Sequence, residues 1–223
     1  MARQKLRVLW LVVIAAALFV PAGTPAWPQG WIFFAEFIGG LVVTGIWLKR
    51  HDPALFRERM TNPGRSAWPR WDRAFGLAMM IAWYGWIVLM ALDVKRWGLS
   101  HMPVWLEAAG AVLIPAGYLL IAAALRANSF AATVVRLQPE RGQTVADTGP
   151  YAHIRHPMYT GSIVIHVGTA LLLGSWIGLA VVPLLADMLA IRAFLEERLL
   201  LKGLPGYADY ARRVRWRLVP GVW

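Results

Sequence analysis

Residues 149–198 read GPYAHIRHPMYTGSIVIHVGTALLLGSWIGLAVVPLLADMLAIRAFLEER, and this stretch decides the fold. It contains two apolar runs, Tyr159–Leu173 and Ser175–Phe194, which are separated only by the short turn at Gly174-Ser175. A transmembrane helix needs about 20 apolar residues, a length that the second run reaches and the first approaches. The pattern therefore predicts a tight helical hairpin. Four glycines would let its two arms approach closely: Gly161, Gly168, Gly174 and Gly178.

Four more apolar runs precede this hairpin and extend the membrane character to the whole chain. They are Leu6–Val20, Trp31–Leu48, Ala74–Leu92 and Pro103–Leu125. Of the 223 residues 58% are hydrophobic, which is typical of an α-helical membrane protein. We predict an all-α integral membrane protein with about five to six transmembrane helices. Residues 1–223 form one membrane domain, in which 1–125 supply N-terminal helices and 126–223 carry the chemistry.

The basic residues give a net charge of +11 and set the expected orientation. All of them except Lys95 and Arg96 fall in residues 1–7, 49–73, 126–155 and 192–217. Cytosolic loops of membrane proteins carry an excess of Lys and Arg, so both termini are predicted to be cytosolic, in a bacterial inner membrane. The same rule accounts for the charge without nucleic acid, which we do not expect as a partner. The first apolar run resembles a signal peptide, but we interpret it as an uncleaved anchor because no soluble domain follows.

A short helix is predicted from Asp52, which can cap its first turn, to Met60. Phe56 and Met60 share a face of this helix, while Arg57 and Arg59 point elsewhere. We favour an interfacial helix lying on anionic lipid over the alternative of a substrate lid.

Two polar blocks flank the hairpin at one membrane edge. The first runs from Gly149 to Tyr159 and includes an Arg and two His; the second is Glu196-Glu197-Arg198. Ionisable groups cost roughly 2.5–3.5 kcal/mol each at the centre of a membrane helix, so their presence in a membrane chain indicates function. We therefore predict a cofactor pocket at the cytosolic edge.

Residues 128–223 resemble the isoprenylcysteine carboxyl methyltransferase family and the related bacterial and phospholipid methyltransferases. The resemblance is carried by Asn128-Ser129-Phe130, Gly149-Pro150-Tyr151, the run from Arg155 to Gly161, Glu196-Glu197-Arg198 and Tyr207-Ala208-Asp209-Tyr210. It implies S-adenosylmethionine as the methyl donor. It also implies a site that the donor enters from water and a lipophilic or lipidated substrate enters from the bilayer lipids.

The resemblance and the residue chemistry together nominate a set of site residues. We expect the cofactor to be bound by Gln143, Gly149, Tyr151, His156, Pro157, Tyr159, Glu196 and Glu197. One Glu of the pair could accept hydrogen bonds from the ammonium or the ribose of the cofactor. We expect one of the two acids to face inward and the other outward. A helix beginning at His156-Pro157 would present free N–H groups to a carboxylate. Gln143 stands where eukaryotic members of the family carry a His.

The predicted catalytic residues are Arg155, His156 and Arg213. The two arginines are candidates to orient an anionic substrate, because Arg pairs bidentately with carboxylates. A carboxylate acceptor is already ionised and needs no base, whereas an amine or a thiol would need one, with His156 the first candidate. Carboxyl O-methylation is thus favoured, and N- or S-methylation stays open. We expect no metal, since His153 and His156 have no third ligand and the chain has no Cys.

Two other functions compete with methyl transfer. A sterol-type reductase that uses NADPH also carries an Arg-His-Pro-x-Tyr-x-Gly block, but it typically has Asp after that Gly, where this chain has Ser162. A scaffold or transporter subunit is disfavoured because the sequence shows no internal repeats. Tyr207 and Tyr210 are equally compatible with an interfacial anchor and with a place in the site.

Overall fold

The computed structural model describes residues 2–60 and 69–223, with side chains from residue 9 onward. Arg65 of the basic loop and the side chains of Arg3, Lys5 and Arg7 lie outside the described residues. The helices of the described part are α1 (Ala2–Ala22), α2 (Pro28–His51), α3 (Pro53–Met60), α4 (Arg70–Ala91), α5 (Val104–Ala127), α6 (Pro157–Leu173), α7 (Trp176–Gly203) and α8 (Tyr207–Arg213). A π-helical turn, Leu92–Trp97, continues α4.

The all-α membrane class is confirmed. Four helices of the described residues are long and apolar enough to cross a membrane: α2, α4 with its π-helical turn, α5 and α7. The part of α1 from Leu9 to Ala22 and the whole of α6 are shorter apolar helices. At about 1.5 Å per residue, α6 is roughly 26 Å long. Its second half is buried from Gly168 to Leu173, so neighbouring helices rather than lipid surround it.

The predicted hairpin is present. Gly174 ends α6 in the left-handed conformation, with φ of 82°, which favours glycine. Ser175 then caps α7, because its hydroxyl oxygen accepts a hydrogen bond from the Gly178 N–H at 2.8 Å. At this end of the bundle Asp93 of the π-helical turn is buried and accepts hydrogen bonds from the hydroxyls of Ser175 and Ser100. The turn of the hairpin is thereby fixed to α4.

The prediction that the four glycines bring the two arms of the hairpin together was wrong. A Cβ on Gly161 would lie 2.8 Å from the Gly117 oxygen, and one on Gly168 would lie 2.9 Å from the Gly110 oxygen, so these α6 glycines face α5. Gly174 also faces α5, and Gly178 faces α4. Small residues seven apart on both helices allow the α5 and α6 backbones to approach closely, and this pair makes the most extensive helix contact.

The short helix α3 is capped as predicted but is packed on a different face. Asp52 Oδ1 accepts from the Leu55 N–H at 2.8 Å. Burial alone would raise the Asp52 pKa, but hydrogen bonds from Leu55 and Ser129 and the charge of Arg141 lower it overall. Leu55 is fully buried, whereas Met60 is 56% exposed. The inward face is therefore that of Leu55 and Arg59, which lie one helical turn apart.

Candidate functional site

A cavity of about 350 Å³ lies at the end of the bundle where α3, the start of α6 and the end of α7 meet. We call this end of the bundle the polar edge. Segments 130–136 and 143–146 and two tyrosines of α8 complete the wall. The volume falls within the 300–1,000 Å³ of typical small-molecule sites. The cavity is thus the candidate binding site.

The C-terminal tail, residues 214–223, holds the Arg155-His156-Pro157 block in place. The backbone N–H of Arg155 donates to Trp216 O, and that of His156 donates to Arg217 O, both at 2.9 Å. The Thr160 hydroxyl donates to Leu218 O at 2.7 Å. These bonds form a short parallel pairing beside the first turn of α6. The orientation of the block therefore depends on residues more than 50 positions away.

Helix α7 carries both acids, because it continues to Gly203, beyond the end of the apolar run at Phe194. Successive helical residues differ in direction by about 100°, so Glu196 and Glu197 enter different environments. Only the first lines the cavity. The predicted division into one inward and one outward acid is replaced by one acid at the cavity and one in the protein interior.

Glu197 is the centre of a buried ionic network. It accepts from Arg155 Nε at 2.6 Å and from Arg217 Nε at 2.9 Å. His156 Nε2 lies 3.1 Å from its Oε1. Arg155 also donates to the carbonyl oxygens of Val214 at 2.9 Å and Ala211 at 3.1 Å. The Arg155 guanidinium is thus occupied by the protein itself, and its donors are directed at Glu197 and the tail.

Glu196 faces the cavity with aromatic neighbours. The Tyr159 hydroxyl donates to Glu196 Oε2 at 2.7 Å. The rings of His156 and Tyr159 stack with centroids 5.4 Å apart and an interplanar angle of 8°. His156 Nδ1 lies 3.9 Å from Glu196 Oε2. A carboxylate with 29% of its side chain exposed, next to an aromatic stack, can accept from a cationic or hydroxyl-bearing ligand.

A tyrosine cluster forms another part of the wall. Asn128 Nδ2 donates to the Tyr151 hydroxyl at 3.3 Å, and the Tyr210 hydroxyl donates to Tyr151 O at 2.9 Å. Burial raises the pKa of Tyr151 to about 12, and burial also raises the pKa of Tyr207 and Tyr210. All three therefore stay neutral at physiological pH. The α8 tyrosines are buried in the cavity wall, not exposed as interfacial anchors.

The structure brings six of the predicted site residues to the cavity: Gln143, Tyr151, Arg155, His156, Tyr159 and Glu196. Gln143 uses its Oε1 to accept from the Gln138 N–H at 2.7 Å, which shapes the loop. Gly149, Pro157 and Glu197 stand behind the wall: φ of 57° at Gly149 opens a 3₁₀ turn, and Pro157 begins α6.

Arg213 is not brought to the cavity. Its guanidinium forms a surface ion pair with Asp147 at 3.1 Å, and 67% of its side chain is exposed.

Among the cavity residues that were not predicted as site residues, two arginines and an asparagine bring polar groups to the wall. Arg59 reaches the wall from α3, Arg192 from α7, and Asn128 from the end of α5. Asn128 lies in one of the motifs of the resemblance, so a signal for it existed. The burial of Leu55 one turn before Arg59 identifies the inner face of α3, but only the structure reveals that burial.

Comparisons with known proteins agree with this architecture. Residues 105–204 match the family model described as phospholipid methyltransferase. The chain is similar to the solved structure of the eukaryotic intramembrane Ras methyltransferase ICMT (isoprenylcysteine carboxyl methyltransferase), with 20% sequence identity and a TM-score of 0.52. That match covers 100% of this chain and 87% of the other. No curated protein matches the chain. The structural match shows a likeness of fold, and the family match covers less than half of the chain.

Proposed function

We propose that this protein transfers a methyl group from S-adenosylmethionine to a lipophilic acceptor at the polar edge of the membrane. The distribution of basic residues supports a cytosolic position for that edge. The observation that carries the proposal is Glu196, a carboxylate that faces a 350 Å³ cavity between Tyr159 and His156 at the end of a membrane bundle. The family match over residues 105–204 supports it.

The residues at the cavity fit the methyl donor. When bound, S-adenosylmethionine supplies an electrophilic methyl group on a positively charged sulfur. Glu196 is placed to accept hydrogen bonds from an ammonium or a ribose, and the ring faces of Tyr159 and Tyr151 suit a sulfonium or an adenine. In the first turn of α6, Pro157 has no N–H, and the Tyr159 and Thr160 N–H groups donate to the His156 oxygen. Of the free N–H groups expected there, the described residues leave that of Met158 for a carboxylate.

The chain contributes mainly alignment, because methyl transfer is an in-line displacement on carbon. A carboxylate acceptor fits this site without a base. The name of the matching family model, phospholipid methyltransferase, favours a phospholipid as a second acceptor class, and we propose an amine as the group that it would methylate. An amine would need to lose a proton, and His156 is the nearest candidate base, although its Nε2 is already engaged by Glu197.

Calorimetric titration of the detergent-purified protein with S-adenosylhomocysteine tests the proposal. We expect micromolar binding in the wild type and at least tenfold weaker binding in Glu196→Gln, because the cavity loses its only carboxylate among the described lining residues. Arg212→Gln is the matched control, since this charge lies on the exposed surface. Absence of binding in the wild type would refute the donor assignment, and binding of NADPH instead would assign the chain to the reductases.

A further inference from the structure

The cavity wall contains four arginines, and three of them are neutralised by carboxylates. Arg155 is paired with Glu197, as described above. The other two pairs join Arg136 to Glu58 and Glu140, at 2.9 and 2.7 Å, and Arg192 to Asp72, at 3.1 Å. These three guanidinium groups are therefore committed to holding the protein together.

Arg59 is the exception. Its Nη1 donates to the backbone oxygen of Ala131 at 2.6 Å, but within the described residues no carboxylate forms an ion pair with it. The segments outside the described residues, 1 and 61–68, contain no Asp or Glu. Arg59 is thus a cation whose protein partner is neutral.

The surroundings of Arg59 strengthen its need for an anion. Burial is the main cause of its lowered pKa; Tyr151 and Tyr159 partly offset this effect, and the nearby positive charge of Arg192 adds to it. A guanidinium nonetheless stays protonated in proteins, so the site keeps its positive charge. A desolvated charge without a counter-ion is costly. A ligand that brings an anionic group to the cavity would relieve that cost.

The position of Arg59 in the chain distinguishes the two ligands of the reaction. The matching family model and the matching solved structure are named for different acceptors, a phospholipid and Ras, while both names describe methyl transfer. Residues for a common donor are therefore expected within the matched segment 105–204. Arg59 lies outside that segment, on α3, which joins the cavity from the N-terminal half.

We infer that Arg59 is a specificity-determining residue that binds the anionic group of the acceptor. This inference rests on the proposed function. The anion is either the carboxylate that receives the methyl group or the phosphodiester next to a phospholipid amine, and an Arg fork matches both. The acceptor class is thus a lipid or lipidated molecule that bears an anionic group, and this group is held on the α3 side of the cavity.

The test compares pairs of ligands in which one member bears the anionic group and the other lacks it. One pair is an S-farnesylated N-acetylcysteine and its carboxamide; the other is a short-chain phosphatidylethanolamine and the diacylglycerol with the same chains. Binding is titrated by calorimetry in the presence of S-adenosylhomocysteine, and methyl transfer is measured in parallel. We compare Arg59→Gln, Arg59→Lys and the control Arg57→Gln, which removes an exposed charge from the same helix.

We expect wild type and Arg57→Gln to prefer the member that bears the anionic group, in at least one pair, by tenfold or more. Arg59→Gln should abolish that preference while changing the affinity for S-adenosylhomocysteine by less than about twofold, and Arg59→Lys should keep part of it. The responding pair identifies the source of the anion. Equal weakening of anionic and neutral ligands, an unchanged preference, or no preference in the wild type would overturn the inference. If the wild type did not bind S-adenosylhomocysteine, the proposed function would be refuted instead. The comparison of the S-farnesylated N-acetylcysteine with its carboxamide would still test the role of Arg59.

Discussion

Replacing Glu197 by Gln should destabilise the protein strongly, because it removes the only carboxylate paired with Arg155 among the described residues. Both side chains are buried, with 7% and 6% of the Arg155 and Glu197 side chains exposed. Gln keeps the size of Glu, but the guanidinium loses its counter-ion. Breaking such a buried pair costs roughly 3–5 kcal/mol. Arg217 is 29% exposed and can be hydrated, so its share adds at most about 1 kcal/mol.

Thermal unfolding in detergent, followed by tryptophan fluorescence, measures this loss; the chain has 13 Trp. For a protein of this size each kcal/mol shifts the Tm by about 2–4 °C, so Glu197→Gln should lower it by on the order of 10 °C. Glu196→Gln is the matched control. It removes the same charge from the adjacent residue, which accepts one hydrogen bond at the cavity, and should cost less than about 1 kcal/mol.

The two variants should therefore show opposite behaviour. Glu197→Gln loses stability, whereas Glu196→Gln keeps stability and loses ligand affinity. An unchanged Tm for Glu197→Gln would show that the network does not stabilise the fold. A larger Tm loss in Glu196→Gln than in Glu197→Gln would reverse the roles assigned to the two acids.

Two further predictions concern packing and capping. Gly168→Ala should cost about 1–3 kcal/mol, because its Cβ would lie 2.9 Å from the Gly110 oxygen. Gly45→Ala is the control and should lose no stability, since a Cβ there would meet nothing within 4 Å. The thermal unfolding assay described above compares the two variants, and equal Tm values would contradict the close α5–α6 contact. Asp52→Ala should cost about 1 kcal/mol of cap energy and speed hydrogen exchange of the α3 amides. The pKa of Asp52 in the folded protein is lowered from 3.8, so its contribution to stability should be fully present above pH 3.8 and be lost as the pH falls through the folded pKa. If the α3 amides of the Asp52→Ala variant were as well protected from hydrogen exchange as those of the wild type, the cap would be excluded.

The membrane fold was predictable from the sequence because long apolar runs have few alternatives to a helix in a bilayer. The hairpin turn was also predictable, from Gly174 and Ser175. The end of α7 was not, because the apolar run stops near Phe194 while the helix continues to Gly203. Backbone hydrogen bonding does not require apolar side chains, so hydropathy locates the part of a helix that is in lipid rather than its end. Glycine spacing likewise identified a face of α6 but not the helix that meets it.

The candidate site was predictable in its residues more than in their arrangement. The motifs nominated six residues that line the cavity, because ionisable side chains are costly in a membrane chain and collect where a ligand or a partner group needs them. They also nominated Arg213, which lies on the surface. Arg155 and Arg213 are equivalent as sequence letters, and only the positions of Glu197 and Asp147 separate a buried pair from an exposed one.

The acid pair explains why the chain end belongs to the site. Glu196 and Glu197 are adjacent on one helix and point in different directions. Glu196 faces the cavity, so Glu197 is available to bind the residues that form the cavity wall. Glu197 anchors Arg155, and Arg155 in turn binds the backbone of the tail at Val214. The backbone oxygen of Arg217, in the same tail, accepts a hydrogen bond from the His156 N–H. The orientation of the His156 ring beside the cavity is therefore set by contacts that no ligand touches, and the fold and the site share one ionic network.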